Sequence, residues 1–207
     1  MIKPEKENRV MIFSAPSGSG KTTVVRHLLK KYNSLGFSIS ATSRAPRGRE
    51  QDGREYYFLS SAEFRNYIEQ GKFVEYEEVY EGLFYGTMLS EVERIWNEGK
   101  VILFDIDVKG GVNLKQLYGD KALSVFIKAP STEALRVRLT KRGTDTPEAI
   151  EKRILKAQYE LTFENQFDKV IVNDNLDKCL CEAERITEEF LSQVKCNSQT
   201  KSVTKGK

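Results

Sequence analysis

Ala15-Pro-Ser-Gly-Ser-Gly-Lys-Thr22 lies between the apolar run Val10-Met-Ile-Phe13 and residues 23–29, in which apolar side chains recur at helical spacing. A strand, a glycine-rich turn and a helix start form a phosphate cradle in this order, because N–H groups of the turn and of the helix N-terminus point at phosphate oxygens. A lysine at this position reaches the outer phosphates, and the following hydroxyl can bind Mg²⁺. The stretch therefore predicts a site for a nucleoside triphosphate.

This phosphate loop departs from the pattern G-x-x-x-x-G-K-[ST] at its first position, where Ala15 replaces glycine. Gly18 and Gly20 keep the inner turn free to adopt a positive φ. Lys21 is predicted to act in catalysis as well as in binding, and Thr22 to bind the metal. The residues predicted to bind the triphosphate are Ala15, Pro16, Ser17, Gly18, Ser19, Gly20, Lys21, Thr22 and Thr23.

The chain has 207 residues, of which 39% are hydrophobic and 30% are charged, and this suits one globular domain of moderate size. The net charge is +3, but residues 195–207 carry four lysines and no acidic residue, which leaves the rest of the chain at −1. A near-neutral body lacks the electrostatic attraction on which binding to a nucleic acid polymer depends. We therefore expect no nucleic acid partner.

The three cysteines show neither C-x-x-C spacing nor a disulfide framework, and their odd number favours a reducing compartment. No apolar run approaches the roughly 20 residues of a membrane span. The N-terminus Met-Ile-Lys-Pro-Glu-Lys-Glu-Asn also lacks the apolar stretch of a signal peptide. The sequence thus predicts a cytoplasmic protein with no membrane partner.

Strand-like runs alternate with helical patterns, which is typical of a mostly parallel sheet flanked by helices. Strands are predicted at residues 10–14, 37–42, 101–106, 123–128 and 170–172, and helices at residues 22–32, 89–97, 132–141 and 176–191. With the phosphate loop after the first strand, the pattern predicts an α/β fold of the P-loop NTPase type.

Two segments differ from this alternation. Residues 43–86 hold short aromatic runs separated by glycines, which predict an inserted β-rich lobe, and residues 140–165 are rich in charge around a turn, which is typical of a mobile helical lid. The C-terminal end is too polar to bury enough surface to order itself. The predicted organisation is a core at residues 8–42 and 87–194, a lobe at 43–86, a lid at about 140–165 and a flexible basic tail at 195–207.

A turn-rich loop after the second predicted strand carries Arg44, Arg47 and the aromatic run Tyr56-Tyr-Phe58. Arginine forks bind phosphate bidentately, and a phenol can donate a further hydrogen bond. Arginines in a loop are usually only solvated. Because the chain already has one phosphate site, a second phosphate-bearing substrate is the better explanation.

Seven motifs in order resemble those of the guanylate kinase family: Ala-Pro-Ser-Gly-Ser-Gly-Lys-Thr, Ser-Arg-Ala-Pro-Arg, Asp-Gly-Arg-Glu-Tyr, Phe-Val-Glu-Tyr, Tyr-Gly-Thr, Asp-Ile-Asp-Val-Lys-Gly and Arg-Gly-Thr-Asp-Thr. The resemblance runs from about Val10 to Leu191. It implies an Mg²⁺-dependent enzyme that transfers the γ-phosphoryl group of ATP directly and in line to GMP, giving ADP and GDP. It also implies that ATP binds the phosphate loop and that GMP binds the inserted lobe.

The resemblance also implies which residues bind GMP. The phosphate is expected at Arg44, Arg47, Tyr56 and Tyr85, and the guanine at Ser40, Glu75 and Thr87. The chemistry of Glu75 agrees, because a carboxylate accepts from guanine N1–H and N2–H₂ but opposes the N1 lone pair of adenine. Hydroxyls of Ser40 and Thr87 can donate to O6, where adenine presents a donor. Sites built on buried hydrogen bonds reject a mismatched partner by about 10⁴–10⁵.

Asp105 ends the apolar run Val101-Ile-Leu-Phe104, where a P-loop protein places an acid near Mg²⁺. Asp107 would share its face if the strand continues. We expect Asp105 to serve the metal and the phosphate-loop lysine, and Asp107 to bind on the guanine side or to join the same network. Asp107-Val-Lys-Gly110 also matches the D-x-x-G of GTP-switch proteins, but the sequence has no N-K-x-D motif, which disfavours a GTPase.

Arg138 and Arg142 lie four apart on a predicted helix and share a face, and Arg153 begins the next helical segment. In the family that the chain resembles, such arginines close over the phosphates and neutralise the charge of the transferring group. The alternative is surface pairing with glutamates of the same two helices. The predicted catalytic residues are these three arginines and Lys21.

Two other functions remain open. The first is a catalytically inactive guanylate-kinase-like module that binds proteins, which the presence of Lys21, Glu75 and the loop arginines disfavours. The second is a P-loop kinase for another small acceptor, which Ala15 and the unusual Arg49 keep open. The sequence does not fix the oligomeric state or the use of dGMP.

Overall fold

The computed structural model describes residues 8–143 and 145–199 of the chain. Its strands are β1 (Val10–Ser14), β2 (Leu35–Phe37), β3 (Ala41–Thr42), β4 (Tyr57–Phe58), β5 (Phe73–Tyr80), β6 (Leu83–Met88), β7 (Val101–Asp105), β8 (Ala122–Lys128) and β9 (Lys169–Val172). Its α-helices are α1 (Lys21–Lys31), α2 (Ser61–Glu69), α3 (Leu89–Asn97), α4 (Val108–Tyr118), α5 (Thr132–Arg142), α6 (Pro147–Leu161) and α7 (Leu176–Gln199).

The strands form two sheets. The larger has the order β2-β7-β1-β8-β9, in which β2 is parallel to β7 and β8 is parallel to β9. The smaller has the order β4-β3-β6-β5, and its β5–β6 pair is antiparallel. This arrangement confirms the predicted α/β class with a mostly parallel sheet, since helices follow the buried strands along the chain.

By its internal contacts the chain divides into two compact units. The first takes in the described residues up to Ile12 together with Tyr32–Ala122, and the second takes in Phe13–Lys31 and the described residues from Leu123 onward. In the first unit, the larger core contains fully buried Ile95 and Leu114 of helices α3 and α4. Both helices are thereby packed against β1 and β7, whose Ile12 and Ile102 belong to the same core.

A second core of the first unit holds the smaller sheet against α2. The ring of Phe64 stacks on Phe73 at 4.3 Å and on Phe84 at 5.2 Å between centroids, and it is fully buried. Burial of one such side chain contributes about 1.5–3 kcal/mol. The stack thus anchors strands β5 and β6, which carry Glu75 and Thr87.

In the second unit, α5 and α6 pack on each other and carry the predicted lid arginines. Their shared core is the buried set Leu135, Leu139, Ile150, Ile154 and Ala157. Each helix has an N-cap hydroxyl, because Ser131 accepts from the N–H of Ala134 and Thr146 from that of Ala149. The caps fix where each helix begins.

The predicted strand at residues 37–42 is two strands in different sheets, β2 and β3, so this prediction was wrong. Residues 38–40 interrupt the pairing. The N–H of Ser38 still donates to the carbonyl of Leu103 at 3.1 Å, but the next N–H, of Ile39, donates to a side chain, Glu91 Oε1, at 3.0 Å. A side-chain acceptor thus replaces the next backbone acceptor of the neighbouring strand, and the chain leaves the larger sheet at this point.

Two helices, α2 and α4, were not predicted. For α2 the signal was present, since Ser60 and Glu63 form a capping box in which each side chain bonds the other's backbone N–H. Helix α7 continues to Gln199 and so enters the predicted tail, of which residues 200–207 lie outside the described residues. None of the helices within residues 8–143 and 145–199 combines the length and apolar character of a membrane span.

Candidate active site

The phosphate loop, residues 15–20, joins the buried strand β1 to the first turn of α1. The N–H of Ser19 donates to the carbonyl of Pro16 at 3.1 Å and closes the turn, and the N–H of Thr23 donates to the carbonyl of Gly20 at 3.1 Å and opens the helix. The loop therefore ends at the positive end of the α1 dipole, where an anion is stabilised.

The inner turn depends on Gly20, which has a φ of +99°. A Cβ atom at this position would lie 2.3 Å from Nδ2 of Asn173. Both the backbone conformation and the space therefore require glycine. At Gly18, with a φ of +92°, a Cβ atom would lie 3.0 Å from a methyl group of Leu135.

Replacing Gly20 with alanine is expected to lower the free energy of unfolding by about 2–4 kcal/mol, because strain at positive φ adds to an overlap with buried Asn173. Gly99→Ala is the matched control, since Gly99 has a φ of +69° and no atom within 4 Å of an added Cβ, so it should cost only about 1 kcal/mol. Urea unfolding followed by circular dichroism measures both. Equal losses in the two variants would show that the contact with Asn173 contributes nothing.

Asn173, the residue after β9, holds the phosphate loop from the side. Its Nδ2 donates to the carbonyl of Ser19 at 2.8 Å, and its backbone N–H donates to the carbonyl of Lys128 at 2.7 Å. Its own carbonyl accepts from Nη2 of Arg138 at 2.7 Å. One residue, 4% exposed, thus links a predicted catalytic arginine to the loop. Sequence reasoning missed it, and an asparagine at a strand end was the only local signal.

The two other lid arginines differ in their surroundings. Arg153 on α6 donates from Nη1 to Oγ of Ser17 at 2.7 Å, and its Nη2 lies 3.1 Å from a carboxylate oxygen of Asp145. This side chain therefore reaches the phosphate loop. Arg142 is exposed at the last position of α5.

The alternative of surface pairing applies to another arginine. The carboxylate of Glu151 on α6 pairs with Arg136 on α5. That pair lies at the surface and leaves Glu151 bonded to neither Arg138 nor Arg153.

The residues predicted for the metal are Thr22, exposed in the first turn of α1, and Asp105, the last residue of β7. Within the described part of the chain, no group of three or more histidine, cysteine, aspartate or glutamate side chains could hold a metal ion. Hydroxyl and carboxylate oxygens are ligands that Mg²⁺ takes, and it draws its remaining ligands from water and nucleotide phosphates. The chemistry of these two side chains therefore fits Mg²⁺.

On the predicted guanine side, Glu75 of β5 lies opposite Thr87 of β6 in the antiparallel register. Oγ1 of Thr87 donates to Oε1 of Glu75 at 2.8 Å, and both residues are buried. Burial raises the pKa of Glu75 to about 7, against the opposing effect of the Thr87 hydrogen bond and with a further contribution from the charge of Asp107. Ser40 is half-buried, and its carbonyl accepts from the N–H of Tyr57 at 2.9 Å.

The strand of Asp105 ends at that residue, so the condition under which Asp107 would share its face is not met. Asp107 is the N-cap of α4, and its Oδ1 accepts from the N–H groups of Lys109 and Gly110 at 2.9 and 3.1 Å. Aspartate is favoured at this position because its side-chain oxygen accepts from backbone N–H groups of the first helical turn that have no partner within the helix. Burial raises the pKa of nearby Glu77, and Asp107 raises it further.

On the predicted phosphate side, the guanidinium of Arg44 is held by Glu50, a residue that sequence reasoning missed although it lies in the same loop. Nη1 and Nη2 donate to the two carboxylate oxygens at 2.6 and 2.8 Å. These hydrogen bonds lower the pKa of Glu50 to about 2. The N–H of Arg47 also donates to Glu50, at 2.8 Å.

Aromatic rings complete this side. The guanidinium of Arg44 lies 4.8 Å from the ring centroid of Tyr56, and the rings of Tyr56 and Tyr85 meet edge to face at 5.9 Å. Nε of Arg44 is buried without a hydrogen-bond partner. The structure thus brings Arg44, Tyr56 and Tyr85 together around a buried donor that an anion can satisfy.

Comparisons with known proteins agree on one family. The guanylate kinase family matches residues 7–190. The guanylate kinase of Bacteroides thetaiotaomicron is 54% identical over 89% of this chain and 91% of its own length, and that of Porphyromonas gingivalis is 53% identical over 89% and 99%. The crystal structure of guanylate kinase from Anaplasma phagocytophilum has a TM-score of 0.70 at 30% identity, over 90% of this chain and 86% of that one.

These matches confirm the resemblance found in the motifs. They extend over both compact units, and the fold they imply is the α/β fold with a phosphate loop between β1 and α1. The chain belongs to the guanylate kinase family.

Proposed function

We propose that this kinase transfers the γ-phosphoryl group of ATP directly to GMP and releases ADP and GDP. The function follows from its family and from relatives about 55% identical over most of the chain, which do not favour a non-catalytic binding module. The observation that carries the choice of acceptor is the buried pair of Glu75 and Thr87.

This pair can distinguish guanine from adenine. A Glu75 carboxylate accepts from N1–H and N2–H₂ of guanine, whereas adenine would set a lone pair against it. The hydroxyl of Ser40 can donate to O6, where adenine would present a second donor, and the hydroxyl of Thr87 would do so once it turns away from Glu75. Because unpaired buried polar groups are costly, a mismatched base is rejected strongly.

The GMP phosphate is assigned to Arg44, Arg47, Tyr56 and Tyr85. The buried, unpartnered Nε of Arg44 supports this assignment, since a phosphate oxygen would satisfy it. Glu50 keeps the fork of Arg44 in place through its two hydrogen bonds. A guanidinium group that is already held in place loses less conformational entropy when the phosphate binds.

The triphosphate is assigned to residues 15–23, where loop N–H groups and the α1 N-terminus stabilise the phosphates. Lys21, Arg138, Arg142 and Arg153 would neutralise the charge that spreads over the transferring group, so no covalent intermediate is needed. Contacts of Arg153 with Ser17 and of Arg138 with Asn173 support these roles for two of the arginines.

Thr22 and Asp105 would hold Mg²⁺, which when bound neutralises phosphate charge and orients the triphosphate. The proposed organisation remains a core at residues 8–42 and 87–194, a GMP lobe at 43–86 and a lid at about 140–165, whose closing would exclude water. Cys179 and Cys181 are free thiols, which supports the proposed cytoplasmic location.

A coupled assay of ADP production with ATP and Mg²⁺ tests the proposal, comparing GMP, dGMP, AMP, CMP and UMP as acceptors. We expect turnover with GMP to exceed that with AMP by about 10⁴ in kcat/KM. Preference for AMP, CMP or UMP over the two guanine nucleotides would overturn the guanine assignment. A folded protein without turnover on any acceptor would overturn the proposed function.

The pKa of Glu75 predicts how GMP binding depends on pH. The raised pKa of about 7 means that the carboxylate form, which binds guanine, is depleted as the pH falls below 7. The KM for GMP should therefore rise about tenfold per pH unit below 7, whereas the KM for ATP stays nearly constant. Glu75→Gln is the control, because the pH dependence that remains in it comes from the GMP phosphate. If the KM for GMP depended on pH in Glu75→Gln as it does in wild type, the prediction would be contradicted.

A further inference from the structure

Glu91, in the first turn of α3, is a buried carboxylate that the proposed reaction does not use. It is 2% exposed. Its Oε1 accepts from the N–H of Ile39 at 3.0 Å and from Nη2 of Arg94 at 2.8 Å. Its Oε2 accepts from the hydroxyl of Tyr57 at 3.1 Å and from Nε of Arg94 at 2.9 Å. Both oxygens are thus bonded twice.

Two of these donors stand next to proposed GMP-binding residues. Ile39 precedes Ser40 in the gap between β2 and β3, and Tyr57 follows Tyr56 at the start of β4. The segments are also joined directly, because the N–H of Tyr57 donates to the carbonyl of Ser40 at 2.9 Å. One side chain therefore holds the backbone N–H of the residue before Ser40 and the hydroxyl of the residue after Tyr56.

The charge state of Glu91 suits this task. Burial, the largest influence, works to raise its pKa, but the hydrogen bonds from Arg94, Ile39 and Tyr57 outweigh it and leave the pKa below the usual value. These hydrogen bonds therefore favour the carboxylate form of Glu91. A buried network in which every acceptor is satisfied is rigid and specifies one arrangement.

We propose that Glu91 is a positioning residue of the GMP site. By holding the N–H of Ile39 and the hydroxyl of Tyr57, it sets Ser40 toward guanine and Tyr56 toward the phosphate. The inference rests on the proposed function and deepens it, because it identifies a determinant of GMP affinity that acts through its neighbours.

The test compares Glu91→Gln with the matched control Glu98→Gln. Glu98 also pairs with Arg94, at 2.6 Å from Nη1, but it is exposed at the end of α3 and bonds to neither Ile39 nor Tyr57. In Glu91→Gln, the side-chain NH₂ group would face N–H and O–H groups that now donate to the carboxylate of Glu91. We expect its KM for GMP to rise about 10- to 100-fold, with the KM for ATP and the kcat at saturating GMP within about twofold of wild type. Glu98→Gln should match wild type in all three.

Equal rises in both KM values, or a loss of kcat alone, would overturn the positioning role. Tyr57→Phe removes one donor at constant shape, so it should raise the KM for GMP about 3- to 10-fold even if Glu91→Gln fails to fold. An unchanged KM in Tyr57→Phe, together with unchanged hydrogen exchange at the Ile39 amide in Glu91→Gln or Glu91→Asp, would also overturn it. Failure of the wild-type protein to phosphorylate GMP would instead overturn the proposed function.

Discussion

Lys21→Ala is expected to lower kcat for GMP phosphorylation by about 10³. The ammonium group follows the glycine-rich turn at the first position of α1, from which it would reach the outer phosphates. A charge aimed at the transferring group stabilises the transition state more than the bound substrate, and removing one such group typically costs about 10²–10³ or more in rate. Stopped-flow measurement of a single turnover, with ATP in excess, would give the rate of the chemical step directly.

Lys30→Ala provides the control for Lys21→Ala, since Lys30 lies in the last turn of the same helix. It removes the same charge from α1 while leaving the phosphate loop unchanged, so its rate should equal that of wild type. Thermal unfolding would establish that both variants are folded. A Lys21→Ala rate within tenfold of wild type would remove Lys21 from the catalytic residues.

Glu75→Gln should lower kcat/KM for GMP by about 10²–10³ and reduce the preference for GMP over AMP by a similar factor. The glutamine amide keeps the size of the side chain but turns one acceptor into a donor, which would face guanine N1–H or N2–H₂. A buried donor left without an acceptor, and the loss of a charge-assisted hydrogen bond, together account for this factor. Steady-state kinetics with both acceptors measures it.

The control for Glu75→Gln is Glu78→Gln on the same strand. Glu78 is exposed and accepts from the N–H of Gly82 at 2.7 Å, outside the guanine pair. Its substitution should leave the ratio of kcat/KM for GMP and AMP unchanged. If Glu75→Gln also kept that ratio, guanine would have to be recognised by other residues.

Local patterns predicted the parts of this fold that depend on neighbouring residues. The apolar run of β1 and the glycines after it specify a strand and a turn within about a dozen residues, and the bounds of α3 and β1 agree with those predicted. The break between β2 and β3 was not predictable in this way. The acceptor that the N–H of Ile39 finds at this break, Glu91, lies 52 positions away along the chain.

The same distinction applies to the candidate site. Arg44, Tyr56 and Tyr85 were found through motifs, and the structure brings them together. The surroundings of Asp107 were left open because an aspartate after an apolar run can either extend a strand or cap a helix. The periodicity of apolar residues does not distinguish these two cases. The structure does, because two backbone N–H groups of the helix donate to Oδ1 of Asp107 at 2.9 and 3.1 Å.

The hydrogen bond between Asn173 and Ser19 has a consequence for synthesis of the protein. It joins residues 154 positions apart, so a ribosome that has translated the loop must add most of the remaining chain before the loop acquires this contact. Nascent chains that end before residue 173 lack the amide that occupies the space beside Gly20. The phosphate loop is translated early, but it gains its hydrogen bond from Asn173 only after that residue has been translated.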